Sequence, residues 1–129
     1  MTRFYEDGVN ARNWEVVAAL LAPDFTHNGQ RLGPNGERRG LETLYAAFPD
    51  VRVTLDDMVF AGDTIVTRMT WTGIHRGAFM GILACRRRVS WTAISIIHLS
   101  AGKIVQAWVN EDTLGLLHKI GGVVEARSR

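Results

Sequence analysis

Hydrophobic positions along this chain change period from helical to alternating at Pro49. Before it, Phe4, Tyr5 and Val9 make a helical stripe. After Asn13, a residue suited to capping a helix start, Trp14, Val16, Val17, Leu20 and Leu21 recur at intervals of three and four. Pro23 is expected to end this second helix, because proline cannot donate to the helical ladder. The stretch from His27 to Gly40 is rich in Asn, Gly and Pro and reads as a loop, followed by a short helix from Leu41 to Phe48.

Beyond Pro49, Val51, Val53 and Leu55 alternate with Arg52, Thr54 and Asp56, the pattern of a half-buried strand that Met58 to Phe60 continues. Ala61-Gly62-Asp63-Thr64 supplies a hairpin turn. In the next strand, Ile65 to His75, one face carries Thr67, Met69, Trp71, Gly73 and His75. A connection through Gly77 and Gly81 leads to Val89 to Leu99, which is apolar on both sides near its centre: Val89, Trp91 and Ala93 on one, Ile94 and Ile96 on the other. Both sheet faces are therefore expected to be covered, one by the helices and the other by a second copy, as a homodimer. Ser100 to Lys103 turns the chain into a last strand in which Val105, Ala107, Val109 and Glu111 face opposite to Ile104, Gln106, Trp108 and Asn110. Asp112 then caps a terminal helix from Thr113 to Ile120, and Gly121 ends it.

Helices, then four or five antiparallel strands, then a short helix define an α+β domain, expected as a single unit over residues 1–129. Such an order lets the sheet curl around the N-terminal helices and enclose an apolar cavity. Composition agrees: 129 residues, 47% hydrophobic and 22% charged, are ordinary for one soluble globular domain. The net charge of +2 is a small excess. Its one cluster, Arg86-Arg87-Arg88, has no interleaved aromatic platform, so no nucleic-acid partner is expected. Cys85 is alone, which excludes an internal disulfide and offers no start to a structural zinc site. No apolar run reaches the ~18 residues of a membrane span, and the first residues lack a signal-peptide core, so a cytoplasmic location without membrane contact is expected.

Four segments carry a family resemblance. Phe4-Tyr5-Glu6 with Asn10-Ala11-Arg12-Asn13 and Leu20-Leu21-Ala22-Pro23-Asp24-Phe25 forms the first, and Ala47-Phe48-Pro49-Asp50-Val51-Arg52-Val53-Thr54 the second. The third is the hairpin Gly73-Ile74-His75-Arg76-Gly77-Ala78-Phe79-Met80-Gly81-Ile82 with Arg87-Arg88-Val89-Ser90, and the fourth runs from Lys103-Ile104 through Leu114-Gly115-Leu116-Leu117 to Gly121. In this order they resemble the SnoaL-like polyketide cyclases over nearly the whole chain. The resemblance implies the cone-shaped α+β barrel of the NTF2-like proteins, a curved antiparallel sheet wrapped on N-terminal helices. It also implies enzymes needing neither metal nor organic cofactor, which close a ring by intramolecular aldol addition. Compared with those cyclases, the helix before Pro49 reads one or two turns short.

In the family the base and a companion histidine sit two apart on the last strand, and alignment puts Ala107 and Val109 at those positions. Neither side chain transfers a proton. The family's hairpin histidine is matched by His75, its cavity asparagine by His27 or Asn28, and the acidic residue opening its last helix by Asp112. Glu111 shares strand parity with Ala107 and Val109 and is the replacement base by geometry, against the simpler reading of a solvated strand end. Asp112 is also fully accounted for as a helix cap, and His75 as a satisfied core residue. The expected catalytic groups are His75, Glu111 and Asp112, with His27, Asn28, Met69, Trp71, Trp91, Ala107 and Val109 contacting a hydrophobic, aromatic or polyketide-like substrate. The expected activity is proton transfer of cyclase or isomerase type. Cofactor-independent hydroxylation and a non-catalytic small-molecule-binding role are the alternatives.

Overall fold

The computed structural model describes residues 1–122; residues 123–129, which the single-domain expectation included, lie outside the described residues. The chain opens with a wide π-type helix, Arg3–Asn10, followed by α1 (Trp14–Leu20), β1 (Leu21–His27), β2 (Gln30–Arg31) and α2 (Gly33–Ala47). Then come β3 (Arg52–Ala61), β4 (Thr64–Ile74), β5 (Arg88–Ser100), β6 (Lys103–Glu111) and α3 (Thr113–Lys119). The six strands form one sheet in the order β2-β1-β6-β5-β4-β3. Its edges, β2 and β3, do not meet, so the expected barrel is a curved open sheet. It is also mixed rather than wholly antiparallel, because β1 runs parallel to β6.

β1 begins at Leu21, inside the run expected to finish the second helix, and reaches His27, where the loop was expected to begin. Its pairing with β6 skips from Leu21 opposite Ile104 to Thr26 opposite Gln106, and Pro23 falls in the gap, where no ladder hydrogen bond is required of it. Asn28 and Gly29, with φ of 50° and 82°, then make a two-residue hairpin turn into β2. The helix before Pro49 is likewise longer than expected. It starts at Gly33 with Pro34 in its first turn, where a missing N–H costs nothing, and runs for 15 residues.

One face of the sheet carries the core. Along β4 the buried positions are Ile65, Thr67, Met69, Trp71 and Gly73, as the alternation predicts, and β5 answers with Val89, Trp91, Ala93, Ser95 and Ile97. Trp71 lies opposite Trp91, and their rings stack with centroids 6.4 Å apart. Phe4, Tyr5 and Val9 of the opening helix pack onto this face. Asn10 secures that helix to β3, donating to the Val53 carbonyl at 2.9 Å and accepting from the Val53 N–H at 2.8 Å. α2 is tied to it through Tyr45, whose hydroxyl donates to the Val9 carbonyl at 2.8 Å.

The expected alternation fails on β6 at one point. His98 pairs with Gln106 but Leu99 with Ile104, so Val105 is an extra residue in the ladder. The bulge turns Ile104 inward together with Ala107, and both are buried, whereas strand parity had assigned the inward place to Val105. Asp112 caps α3 as expected, its Oδ1 accepting from the Gly115 N–H at 2.9 Å.

Candidate active site

Between α2, the opening helix and the sheet lies a cavity of about 320 Å³. Its walls are mostly apolar: Phe4, Tyr5, Leu41 and Leu44 from the helices, and Met69, Trp71, Trp91, Ile97, Ile104, Ala107 and Val109 from the sheet. Three titratable side chains besides Tyr5 border it, His27, Glu37 and Glu111. Each comes from a different element, the end of β1, the second turn of α2 and the end of β6.

The sheet register sets their placement. His27 pairs with Ala107 across the parallel β1–β6 ladder, and the next hairpin residue, Asn28, grips β6 with its side chain. Its Nδ2 donates to the Val109 carbonyl at 3.1 Å and its Oδ1 accepts from the Val109 N–H at 2.7 Å. The amide of Asn28 is thereby committed to holding the hairpin, and His27 is the member of the pair that faces the cavity. Glu111 lies opposite Ala93, which lies opposite Met69 in the same cross-strand row. A second, polar groove outside the cavity shares His27, Val109 and Glu111 with it and continues over Asn110 and Thr113. The acid–base groups thus sit where the apolar interior meets a polar surface.

His27 Nδ1 stands 3.4 Å from Glu37 Oε2, an ion-pair distance. Nδ1 is buried, and its geometry falls short of a hydrogen bond. Interaction with the Glu37 carboxylate raises the His27 pKa above the ordinary imidazole value; burial opposes this, and the charge of Glu111 adds to it. Glu111 is also raised, first because the cavity rim withdraws it partly from water; the nearby His27 opposes the shift and Glu37 reinforces it. The Tyr5 hydroxyl is pushed up strongly, chiefly by burial and then by Glu37, with a hydrogen bond to Ser95 working the other way. It stays a neutral donor. Ser95 itself bonds to Thr67, a buried hydroxyl pair beneath the cavity wall.

Of the other expected site residues, Met69, Trp71, Trp91, Ala107 and Val109 border the cavity. His75 does not. It is fully buried beside Phe48, with ring centroids 5.3 Å apart, and its Nδ1 accepts from the Cys85 N–H at 3.1 Å. Strand parity placed it on the core face, and the core face at that end of β4 is filled by Phe48 rather than open. Asp112 also stands off the cavity, turned to the α3 N-terminus. Glu37 and Tyr5 were not among the expected site residues: Tyr5 read only as core, and Glu37 lay in a stretch read as loop. Among the described residues no three or more His, Cys, Asp or Glu side chains are grouped so as to hold a metal ion, and no helix is long and apolar enough to cross a membrane.

Helices closing an apolar cavity over a curved mixed sheet make this an α+β protein of the NTF2-like kind. The chain belongs to the SnoaL-like polyketide cyclase family, whose sequence profile matches residues 1–120. Among solved structures, TsrD from Streptomyces laurentii is 30% identical, with 95% of this chain and 92% of that one covered and a TM-score of 0.87. IdmH from Streptomyces antibioticus, a candidate polyketide cyclase, is 27% identical with 92% and 93% covered and a TM-score of 0.82. AclR from Streptomyces galilaeus, a candidate hydroxylase, is 25% identical with 89% and 88% covered and a TM-score of 0.80. Among curated proteins no sequence matches.

Proposed function

We propose that the protein is a secondary-metabolism enzyme that moves a proton on a flat, largely apolar ketone or phenol of polyketide type, with Glu111 as the base. One observation carries this reading: Glu111 is a carboxylate that borders the apolar cavity while its residue stays open to solvent, and partial burial holds its pKa above the ordinary carboxylate value. Ala107 and Val109, which resemblance aligns with the family's base and histidine, border the same cavity without a titratable group. The task passes along the strand to Glu111. Asp112 is engaged in capping and His75 lies behind Phe48, which favours Glu111 over both.

In this reaction Glu111 takes the proton from carbon beside a carbonyl, and the electron pair moves onto the carbonyl oxygen as an enolate. His27 and the neutral Tyr5 hydroxyl are the donors available to that oxygen. For ring closure the enolate carbon adds to a second carbonyl of the same molecule, and the resulting alkoxide recovers the proton from Glu111. No cofactor is consumed.

The test uses 2-tetralone, a bicyclic ketone with an acidic C–H, in deuterated water. Wild-type protein is expected to accelerate exchange, and Glu111→Gln to lose about 10²–10⁴-fold of that acceleration. Binding of 2-tetralone without any exchange above background would instead support a non-catalytic binding protein. Hydroxylation is the second reading, favoured by the likeness to AclR. Anthrone supplied with ¹⁸O-labelled dioxygen distinguishes it, since label in the product requires oxygen transfer and its absence excludes it.

A further inference from the structure

The cavity holds two carboxylates and one imidazole, more acid–base groups than a single proton abstraction needs. Glu37 is the unexplained one. It projects from α2 into a wall that is otherwise Leu41, Thr43, Leu44 and two glycines, and its side chain retains only 17% of its exposure. Burying a carboxylate there costs free energy unless a cation accompanies it. The described partner within ion-pair distance is His27 at the end of β1, 3.4 Å away.

We infer that Glu37 is a positioning residue that keeps the His27 ring protonated and facing the cavity, so that the site takes its substrate through an oxygen anion, a phenolate or the enolate of an activated ketone. This rests on the proposed reading of Glu111 as proton acceptor and names the substrate class of that site. Charge balance supports it. When a bound phenol passes its proton to Glu111, the oxygen anion left behind faces an imidazolium whose own charge is already matched by Glu37. The transfer leaves the total charge of the site unchanged and moves the negative charge from Glu111 to the substrate oxygen, where the adjacent imidazolium N–H lowers the cost of burying it. The titratable groups facing His27 are Glu37 from α2 and Glu111 from β6, with Tyr5 of the opening helix close to both carboxylates. The raised His27 pKa agrees with this arrangement.

The probe is 4-nitrophenol, whose phenolate absorbs at longer wavelength than the phenol, so its ionisation is read directly while bound. With wild-type protein the bound probe is expected to ionise about one pH unit below the free probe, a tenfold preference for the anion. Glu37→Gln and His27→Gln should each abolish most of this shift. A bound probe that titrates as in water, or an unchanged shift in Glu37→Gln, overturns the inference. Should Glu37→Gln fail to fold, the wild-type protein decides alone. Its His27 ring resonance, assigned with His27→Gln, must titrate above ordinary imidazole and respond to 4-nitrophenol; a ring that titrates normally refutes the pair. The two proposals fail separately. Glu111-dependent exchange of 2-tetralone without a phenolate shift removes only the role of Glu37, and a phenolate shift without exchange removes only the turnover.

Discussion

His27 Nδ1 and Glu37 Oε2 face each other at 3.4 Å, joining β1 to α2 at the rim of the cavity. A histidine whose folded pKa is raised adds stability that is present below its unfolded value of 6.5 and is lost as pH rises through the folded one. Glu111, raised from 4.5, acts in the same sense, because its neutral form is favoured in the folded protein. Between about pH 5 and about pH 8, wild-type protein should therefore lose more thermal stability than His27→Gln/Glu111→Gln. Melting temperatures of both proteins across that range check it, and an equal or steeper fall in the double variant contradicts it.

Glu111 and Asp112 are adjacent but differently employed. Asp112→Ala removes the α3 cap and should cost about 0.5–2 kcal/mol in urea unfolding while leaving 4-nitrophenol binding in place. His75→Ala should also act on stability, since it leaves the Cys85 N–H without its acceptor, a cost of about 1–3 kcal/mol before any cavity is counted. Glu111→Gln should do the reverse, raising stability slightly near neutral pH because it removes a group whose charged form the fold disfavours, and removing exchange of 2-tetralone. A loss of exchange in Asp112→Ala at unchanged stability would move the base to Asp112.

Two glycines of α2, four residues apart, should respond oppositely to alanine. A Cβ at Gly40 meets nothing within 4 Å, so Gly40→Ala should stabilise the helix by about 0.8–1.0 kcal/mol. A Cβ at Gly36 would lie 2.6 Å from Leu32 Cβ, so Gly36→Ala should destabilise despite the better helix propensity. Urea midpoints of the two variants decide. A stabilised Gly36→Ala would mean that the helix start can shift to make room.

β4 and the first half of β3 were legible because their inward and outward positions alternate in polarity, a period of two in the sequence, whereas β5, apolar on both sides near its centre, was read from its β-branched and aromatic residues. β1 was not legible, because Pro23 and Asp24 break the alternation and its pairing is interrupted at the same place. The Asn28-Gly29 turn was the available signal for the hairpin. α2 was hidden by Gly33, Pro34, Gly36 and Gly40, breakers by composition that the fold tolerates at a helix start and beside the cavity. With the helix unread, Glu37 could not be placed. The inward turn of Ile104 depends on a bulge, which strand parity does not reveal. His75 shows the opposite limit: its face was read correctly, but only the packing of Phe48 excludes it from the cavity.

Ile96 lies opposite Val66 on one neighbouring strand and Trp108 on the other, all on the sheet face turned away from the helices. Ile96 and Trp108 remain 41% and 42% exposed and Ile94, in the next row of the same face, 52%, so this face leaves apolar side chains in water. A second copy packing face to face would cover it, and the protein is expected to be a homodimer of twice 14.4 kDa. Placing a charge at the centre of the row, Ile96→Lys, should yield a monomer with an unchanged far-ultraviolet circular dichroism spectrum, because the side chain points away from the core. Wild-type protein with a solution mass near 14.4 kDa would refute the dimer and leave the apolar row without an occupant.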